Sequence, residues 1–417
     1  MLLQTILNRV ERHRSFVYGK ARFIEYNKRP ALEVAIEHRA NSKPICSGCQ
    51  RPGQGYDRLP ARSFEFVPLW GMAVFLVYRL RRVACPRCGV TVEAIPWAQG
   101  KERTTKSYQW FLARWAKRLS WQETAQVFHS SWDTVSRAVT YAVLWGLLNR
   151  SLEGVQAVGV DEIQWQKGHH YLTLVYQIEA GCKRLLWIGA ERTRASFQQF
   201  FDLLGEANAK ALRFICSDLW EAYVGVIAER AGQAVHVLDR YHIMAKMNRA
   251  IDEIRREEAK RLKGDGYEHL LKHSRWCLLK RPENLTDKQT VRLGELLRYN
   301  LSPVRAYLLR EDFQRFWTYK SPAWAKRFLD EWCTRAMRSR LEPMKKVARM
   351  LRGHEELLLN WFRAKGTVSA GVVEGLNYNA KLTMKNAYGF RTLRGVKTAL
   401  YHQLGHLPEP KFTHEFC

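Results

Sequence analysis

The order of apolar runs between residues 155 and 238 constrains this chain most. Short β-rich runs come first, at Ala157–Ile163, Tyr171–Ile178 and Arg184–Ile188. Helical spacing follows over Ser196–Leu204, then a strand run at Ala211–Cys216, a helix from Trp220 and a last strand run at Ala234–Leu238. Three strands in succession, then helix, strand, helix, strand, require one sheet covered by helices.

This is the order of an RNase H-like fold, in which the ends of the first and fourth strands lie side by side. Asp161 closes the first run and Asp218 closes the fourth, each directly behind apolar residues. A carboxylate there costs desolvation unless a cation compensates it. Two divalent ions, Mg²⁺ or Mn²⁺, would do so and would serve an in-line displacement at phosphorus. A lone strand-end Asp is also commonly a turn or helix cap, so neither residue decides the matter alone. Alternation points Glu162 to the opposite face. Asp239 ends its own strand and competes with Asp218 as second ligand. With His242, three residues on, it is either a supporting pair or a plain helix cap.

A third acid must come from a helix on the same sheet edge. From Thr367 the sequence starts a helix on which Glu374, Asn377, Lys381 and Lys385 fall at i, i+3, i+7 and i+11. One face then presents a carboxylate followed by two ammonium groups at the height of a DNA backbone. Glu374 is the sole acid between Arg363 and Lys397, so it is salt-bridged or functional, and its phase with Asn377 and the lysines favours function. The charged, helix-rich stretch before it, with Trp276, Trp317, Trp324, Trp332 and Trp361, reads as an all-helical insertion; a separate helical domain is the alternative.

Upstream, Cys46 and Cys49 form one C-x-x-C knuckle, and Cys85 and Cys88 form another after the strand-like run Met72–Val83. Four thiolates on two turns complete the tetrahedral shell of a structural zinc, with no position left for a substrate water. Behind them, Tyr108, Phe111, Leu112, Trp115 and Leu119 share one helical face. Ser120 and Glu123 form a capping box for a second helix bearing Ala125, Val127 and Phe128, and a third helix follows Ser131. That is a helix-turn-helix plan, with Trp132, Thr134, Ser136 and Arg137 where base edges or phosphates are met; a helical packing or dimerisation module is the bland alternative.

The expected architecture is therefore a multidomain α/β chain: a zinc ribbon over 1–100, a helix-turn-helix over 101–150, and an RNase H-like core over 151–245. An all-helical insertion over 246–366 and the last part of the core with its tail over 367–417 complete it. With 68 Lys and Arg against 40 Asp and Glu, a formal charge of +28, nucleic acid is the first partner to expect. No apolar stretch approaches the roughly 20 residues of a membrane span, and nine scattered cysteines argue against a disulfide framework. The expected location is cytoplasmic, at the nucleoid.

The stretches Gly159–Glu162, Lys167–Tyr171, Ser217–Tyr223, Asp239–His242, Lys280–Thr286, Glu374–Asn377 and Ala387–Arg391, with the cysteine knuckles, resemble the ISL-three type of bacterial insertion-sequence transposases across nearly the whole chain. The resemblance implies a DDE triad of Asp161, Asp218 and Glu374, an N-terminal zinc domain and helix-turn-helix, and a helical insertion in an RNase H-like core. Ser369, Ala370 and Gly371 stand where that family usually has a Thr-Asn pair, and Asn386 where it often has Arg.

The expected activity is cleavage of double-stranded DNA at terminal inverted repeats with two Mg²⁺ or Mn²⁺ ions, then joining of the freed 3′-hydroxyl to target DNA. Lys381, Lys385, Arg391 and Arg394 would hold phosphate, and pairing two ends suggests a homodimer or larger assembly. The alternatives are a DNA-binding regulator derived from an inactive transposase and a junction-resolving nuclease without strand transfer.

Overall fold

Helix α1 (Leu3–Val10) leads into two long hairpins, β1 (Phe16–Tyr26) with β2 (Arg29–His38) and β3 (Gln54–Leu69) with β4 (Met72–Cys85); β5 (Gly89–Val92) adds to β4. The sheet order is β1-β2-β4-β3, with β2 parallel to β4. Its core gathers on Trp97, whose ring meets Phe16, Phe64 and Tyr78 edge-on. Glu93 is buried beside it, accepting from the Tyr78 hydroxyl at 2.7 Å and from Arg81 Nε at 2.9 Å, so its charge is paired. The sequence reading found only β4 of these strands, because much of β1 and β3 is exposed on both faces and shows no alternation.

Three helices follow: α2 (Lys106–Trp115), α3 (Trp121–Val127) and α4 (Trp132–Asn149). Thr105, Ser120 and Ser131 cap their N-termini, Ser120 through the capping box with Glu123 read from sequence. Helix α2 ends at Trp115, so Leu119 lies in the turn rather than on its face, and Val127 is exposed.

A second sheet contains β6 (Ala157–Gln166), β7 (His170–Glu179) and β8 (Cys182–Gly189), then β9 (Phe214–Ser217) after α5 (Arg194–Leu204) and α6 (Glu206–Ala211), and β10 (Val235–Leu238) after α7 (Glu221–Ala231). Its order is β10-β9-β6-β7-β8; the first three strands run antiparallel in succession, and β9 and β10 run parallel to β6. Phe197, Phe200 and Phe201 of α5 and Tyr223 of α7 cover Val158, Val160 and Val175 on one face. Two sequence boundaries are corrected. Ala211 belongs to α6, an extra turn opened by Gly205 at φ +80°, and β6 runs past Ile163 because its hairpin with β7 continues to Gln166.

A helical segment follows: α8 (Arg240–Gly264), α9 (Arg275–Leu279), α10 (Asp287–Leu296), α11 (Ser302–Phe313), α12 (Pro322–Arg338), α13 (Glu342–Gly353) and α14 (Glu355–Arg363). Its core holds Trp332, whose indole N–H donates to the Leu309 carbonyl at 2.8 Å. Helix α14 returns to the sheet edge, where the Asn360 amide donates to the His236 carbonyl of β10 at 2.9 Å. Helices α15 (Ala370–Asn386) and α16 (Leu393–Leu404) complete the chain, α16 packing on α4.

This computed structural model describes residues 3–364, 370–387 and 389–411, which divide into two units: Met1–Ser151 with Thr383–Cys417, and Leu152–Leu382. Thr367, Ser369 and Tyr388, named in the sequence reading, lie outside the described residues. Among the described residues no helix is long and apolar enough to cross a membrane.

Candidate active site

Strand register builds the acidic centre. Gly159 of β6 pairs with Cys216 of β9, and Ser217 pairs with Leu238 of β10. Two steps beyond Gly159 is Asp161, two beyond Cys216 is Asp218, and one beyond Leu238 is Asp239. Three carboxylates therefore stand abreast across three parallel neighbours. Asp161 sits within β6 rather than at its end, since the β6–β7 hairpin outruns the rest of the sheet.

Helix α15 supplies the fourth acid. The Asn377 amide donates to Asp161 Oδ2 at 2.5 Å and its oxygen accepts from the buried Tyr176 hydroxyl at 2.8 Å. Glu374 lies one turn earlier on the same helix and is exposed. Helix and strand approach closely because residue 159 is glycine: a Cβ there would lie 2.3 Å from Val373 Cγ2. Gly159→Ala is accordingly expected to cost about 1–3 kcal/mol by overpacking and to displace Asn377 from Asp161. Thermal unfolding measures the loss, and adding Val373→Ala, which makes room, should restore most of it.

Burial raises the affinity of Asp161 for a proton, reinforced by the charges of Asp239 and Asp218, and Asp239 is raised for the same first reason. His242 stands between them, Nε2 at 3.9 Å from Asp161 and 3.8 Å from Asp239. Two of the acids also hold backbone: Asp218 accepts from the Trp220 N–H at 2.9 Å, and Asp239 caps α8 through the Tyr241 N–H at 2.8 Å. The capping role coexists with the acidic row. No three carboxylates among the described residues come within 4.8 Å of one another.

Glu162 points to the opposite face, as alternation requires. Arg192, from the loop after β8, joins it at 2.8 Å and reaches Asp218 at 3.3 Å while its guanidinium lies over the Trp220 ring. Burial pushes Glu162 up to about 7. Arg192 and Tyr176 escaped the sequence reading, since nothing periodic marks a loop arginine or a core tyrosine whose partners are tertiary.

The family profile for DDE transposases of the ISL-three type, described as a transposase, matches residues 158–400, from β6 into α16. This chain belongs to that family. It is 28% identical over 378 residues to the transposase for insertion sequence element IS1001 of Bordetella parapertussis, covering 90% of this chain and 92% of that protein. It is also 28% identical over 399 residues to the transposase for insertion sequence element IS1557 of Mycobacterium tuberculosis, covering 87% of this chain and 86% of that protein.

Outside the acidic row, this transposase carries a further cluster, of four cysteines, among the described residues. The thiols of Cys46, Cys49, Cys85 and Cys88 all lie within 4.8 Å of one another, with Cys49 and Cys85 sulfurs 3.6 Å apart. A tetrahedron with arms of about 2.3 Å has edges of about 3.8 Å, so the cluster is compatible with a zinc ribbon. The Thr91 hydroxyl and the Cys49 N–H push the Cys46 thiol down to about 6, and the N–H groups of Arg87 and Cys88 lower Cys85. Cys46 and Cys85 are thus biased toward the thiolate, the ligand form, whereas desolvation and the neighbouring thiols push Cys88 up to about 12, as crowding four sulfurs together requires.

The candidate DNA contacts fall on α4, on α15, and on α16 with the loop before it. Trp132, Thr134, Ser136 and Arg137 occupy the first turns of α4, with Trp132 and Arg137 exposed and the Trp132 ring 5.8 Å from Trp121. Trp121 also meets Phe390 at 6.2 Å, so Arg391 and Arg394, both exposed, belong to the same unit as α4. Lys381 and Lys385 are exposed on α15.

Proposed function

We propose that this chain binds double-stranded DNA at the terminal inverted repeats of a bacterial insertion sequence, cleaves it there, and joins the freed 3′-hydroxyl to target DNA. The register that sets Asp161, Asp218 and Asp239 abreast, with Glu374 brought in by Asn377, carries this reading. The strand order β10-β9-β6-β7-β8 supports an RNase H-like core, and α14 returning to β10 supports an insertion within it.

The donors at the centre are all carboxylate oxygens, which suit Mg²⁺ or Mn²⁺, and three acids beside one imidazole need positive charge. Asp161, Asp218 and Glu374 would hold two such ions. Bound there, the ions would neutralise the attacking and leaving oxygens of an in-line displacement at phosphorus. Asn377 orients Asp161 against Tyr176. Asp239 and His242 support the row from its far side, and Arg192 fixes Asp218 from the opposite face. Glu162, paired with Arg192, has a positioning role and is not a ligand.

Cys46, Cys49, Cys85 and Cys88 would hold a structural Zn²⁺. Helices α2–α4, capped as a helix-turn-helix requires, would set Trp132, Thr134, Ser136 and Arg137 against the terminal repeat. Lys381, Lys385, Arg391 and Arg394 would contact phosphates. Two DNA ends joined in one reaction call for a homodimer or larger assembly, working at the nucleoid.

The test is purified protein with Mg²⁺ or Mn²⁺ and duplexes carrying the element's ends and a target. Cleavage followed by joining is expected. Binding without cleavage would mark a regulator derived from an inactive transposase, and cleavage without joining a structure-directed nuclease.

A further inference from the structure

Two hairpin tips lie side by side at one end of the first sheet. Tyr26 pairs with Arg29 and leaves Asn27 and Lys28 as a two-residue loop, with φ of +52° and +61°. Leu69 pairs with Met72 and leaves Trp70 and Gly71, at +50° and +78°. Because β2 and β4 run parallel with Ala31 opposite Ala73, the two tips adjoin, and the Tyr26 ring packs edge-on against Phe75 at 4.8 Å.

Loops of this kind are ordinarily Asn-Gly or Asp-Gly, since both residues need positive φ. Trp70 is an exception on two counts. A bulky side chain is uncommon in that conformation, and this one is 81% exposed, so packing explains neither its presence nor its strain. The neighbouring tip carries exposed Lys28 and Arg29 beside the single acid Glu25.

These tips are fixed next to α4. Arg29 contacts the His129 ring, in the turn between α3 and α4 and two residues before the Ser131 cap. The sheet and the helices are joined by Trp97 and by backbone bonds from Glu65 to Arg103 and from Thr105 to Glu65. The basic tip therefore lies within one side chain's reach of the turn that leads into α4, with the aromatic tip beside it.

We propose that this end of the sheet is a second duplex-DNA contact, a wing beside α4, in which Lys28 and Arg29 bind phosphate and Trp70 lies against the groove next to the one α4 enters. Cationic side chains supply the charge complement to phosphate, and an exposed apolar ring on a rigid tip suits a groove wall or a base step. The proposal rests on the reading that α3 and α4 bind DNA.

The test uses the full chain, without divalent ions, on a labelled duplex of the element's end. The variants are Lys28→Ala with Arg29→Ala, Trp70→Ala, and Arg137→Ala on α4, each checked for folding by circular dichroism and zinc content. The double variant should weaken binding and lower the slope of log K against log salt by about 1–2, at about 0.9 per phosphate lost. Trp70→Ala should weaken binding about fivefold or more with the slope unchanged, and both should shorten the hydroxyl-radical footprint on one flank. If both bind and protect like wild type while Arg137→Ala is weakened, the wing is refuted and the reading of α4 stands. Should wild type itself ignore the end sequence, that reading falls and takes the wing with it. A Trp70→Ala protein that binds normally but sediments as a smaller species would make the tip a self-association surface, which also overturns the proposal.

Discussion

Asp161→Asn is expected to reduce end cleavage by about a thousandfold or more while leaving affinity for the end duplex within about twofold. Losing one charged ligand from a metal-assisted displacement removes several kcal/mol of transition-state stabilisation, and about 4 kcal/mol corresponds to a thousandfold. The amide keeps the side chain's shape and still accepts from Asn377 through its oxygen. A second readout avoids catalysis altogether. Wild type should gain thermal stability as Mg²⁺ or Mn²⁺ is added, by RT ln(1 + [L]/Kd), and the variant should gain far less. Equal cleavage by the two proteins would remove Asp161 from the mechanism.

The same substitution should raise the melting temperature when no divalent ion is present. Burial raises the pKa values of Asp161, Asp239 and Glu162, so ionising them costs the folded state more than the unfolded one. The sign follows: stability is present at acid pH and is lost as pH rises through the raised values, up to about 7 for Glu162. Replacing one of these carboxyls by an amide removes part of that loss.

Cys85→Ser is expected to have the largest effect on folding. The knuckle region has almost no apolar core of its own: Val83 is the only buried residue grouped with Cys46 and Cys85. The first knuckle is held to the sheet by the bridges of Ile45 with Pro52 and Cys46 with Glu93, by the Ser47 N–H to the Val92 carbonyl of β5 at 3.3 Å, and by the Thr91 hydroxyl against the Cys46 sulfur at 3.2 Å. A structural zinc contributes about 10–16 kcal/mol in small zinc modules, far more than these contacts can replace. The variant should bind well under one equivalent of zinc by elemental analysis, be cut by protease between residues 40 and 95, and lose affinity for end DNA. Full zinc occupancy and wild-type protease resistance in Cys85→Ser would exclude a four-cysteine site.

What the sequence made legible had local causes. Short β-rich apolar runs marked β6–β8 because those strands are largely buried, and Ser120 with Glu123 marked α3 because a capping box is a contact within four residues. The strand order alone sets β6 and β9 side by side, and Asp161 and Asp218 with them. One oxygen of Asp239 caps α8 while the other faces His242, and a sequence cannot show that a residue does both. Strands β1 and β3 were illegible because exposed ribbons carry no hydrophobic rhythm. Arg192, Tyr176 and Gly159 were invisible as site residues for another reason: each acts on a partner far away in sequence, and only the close approach of α15 to β6 gives Gly159 its role.

Helices α15 and α16 have a consequence for the order of synthesis. One brings Glu374 to an acidic row whose other members precede it by 135 positions or more, and the other packs on α4 and shares its unit. On the proposed reading, a ribosome must pass both before the chain can either grip an element's end or cut it. A message broken upstream of Ala370 would yield a product that lacks both Glu374 and the helix that packs on α4. If the proposed reading holds, nicking by unfinished copies would be prevented by the wiring of the fold, with no inhibitor required.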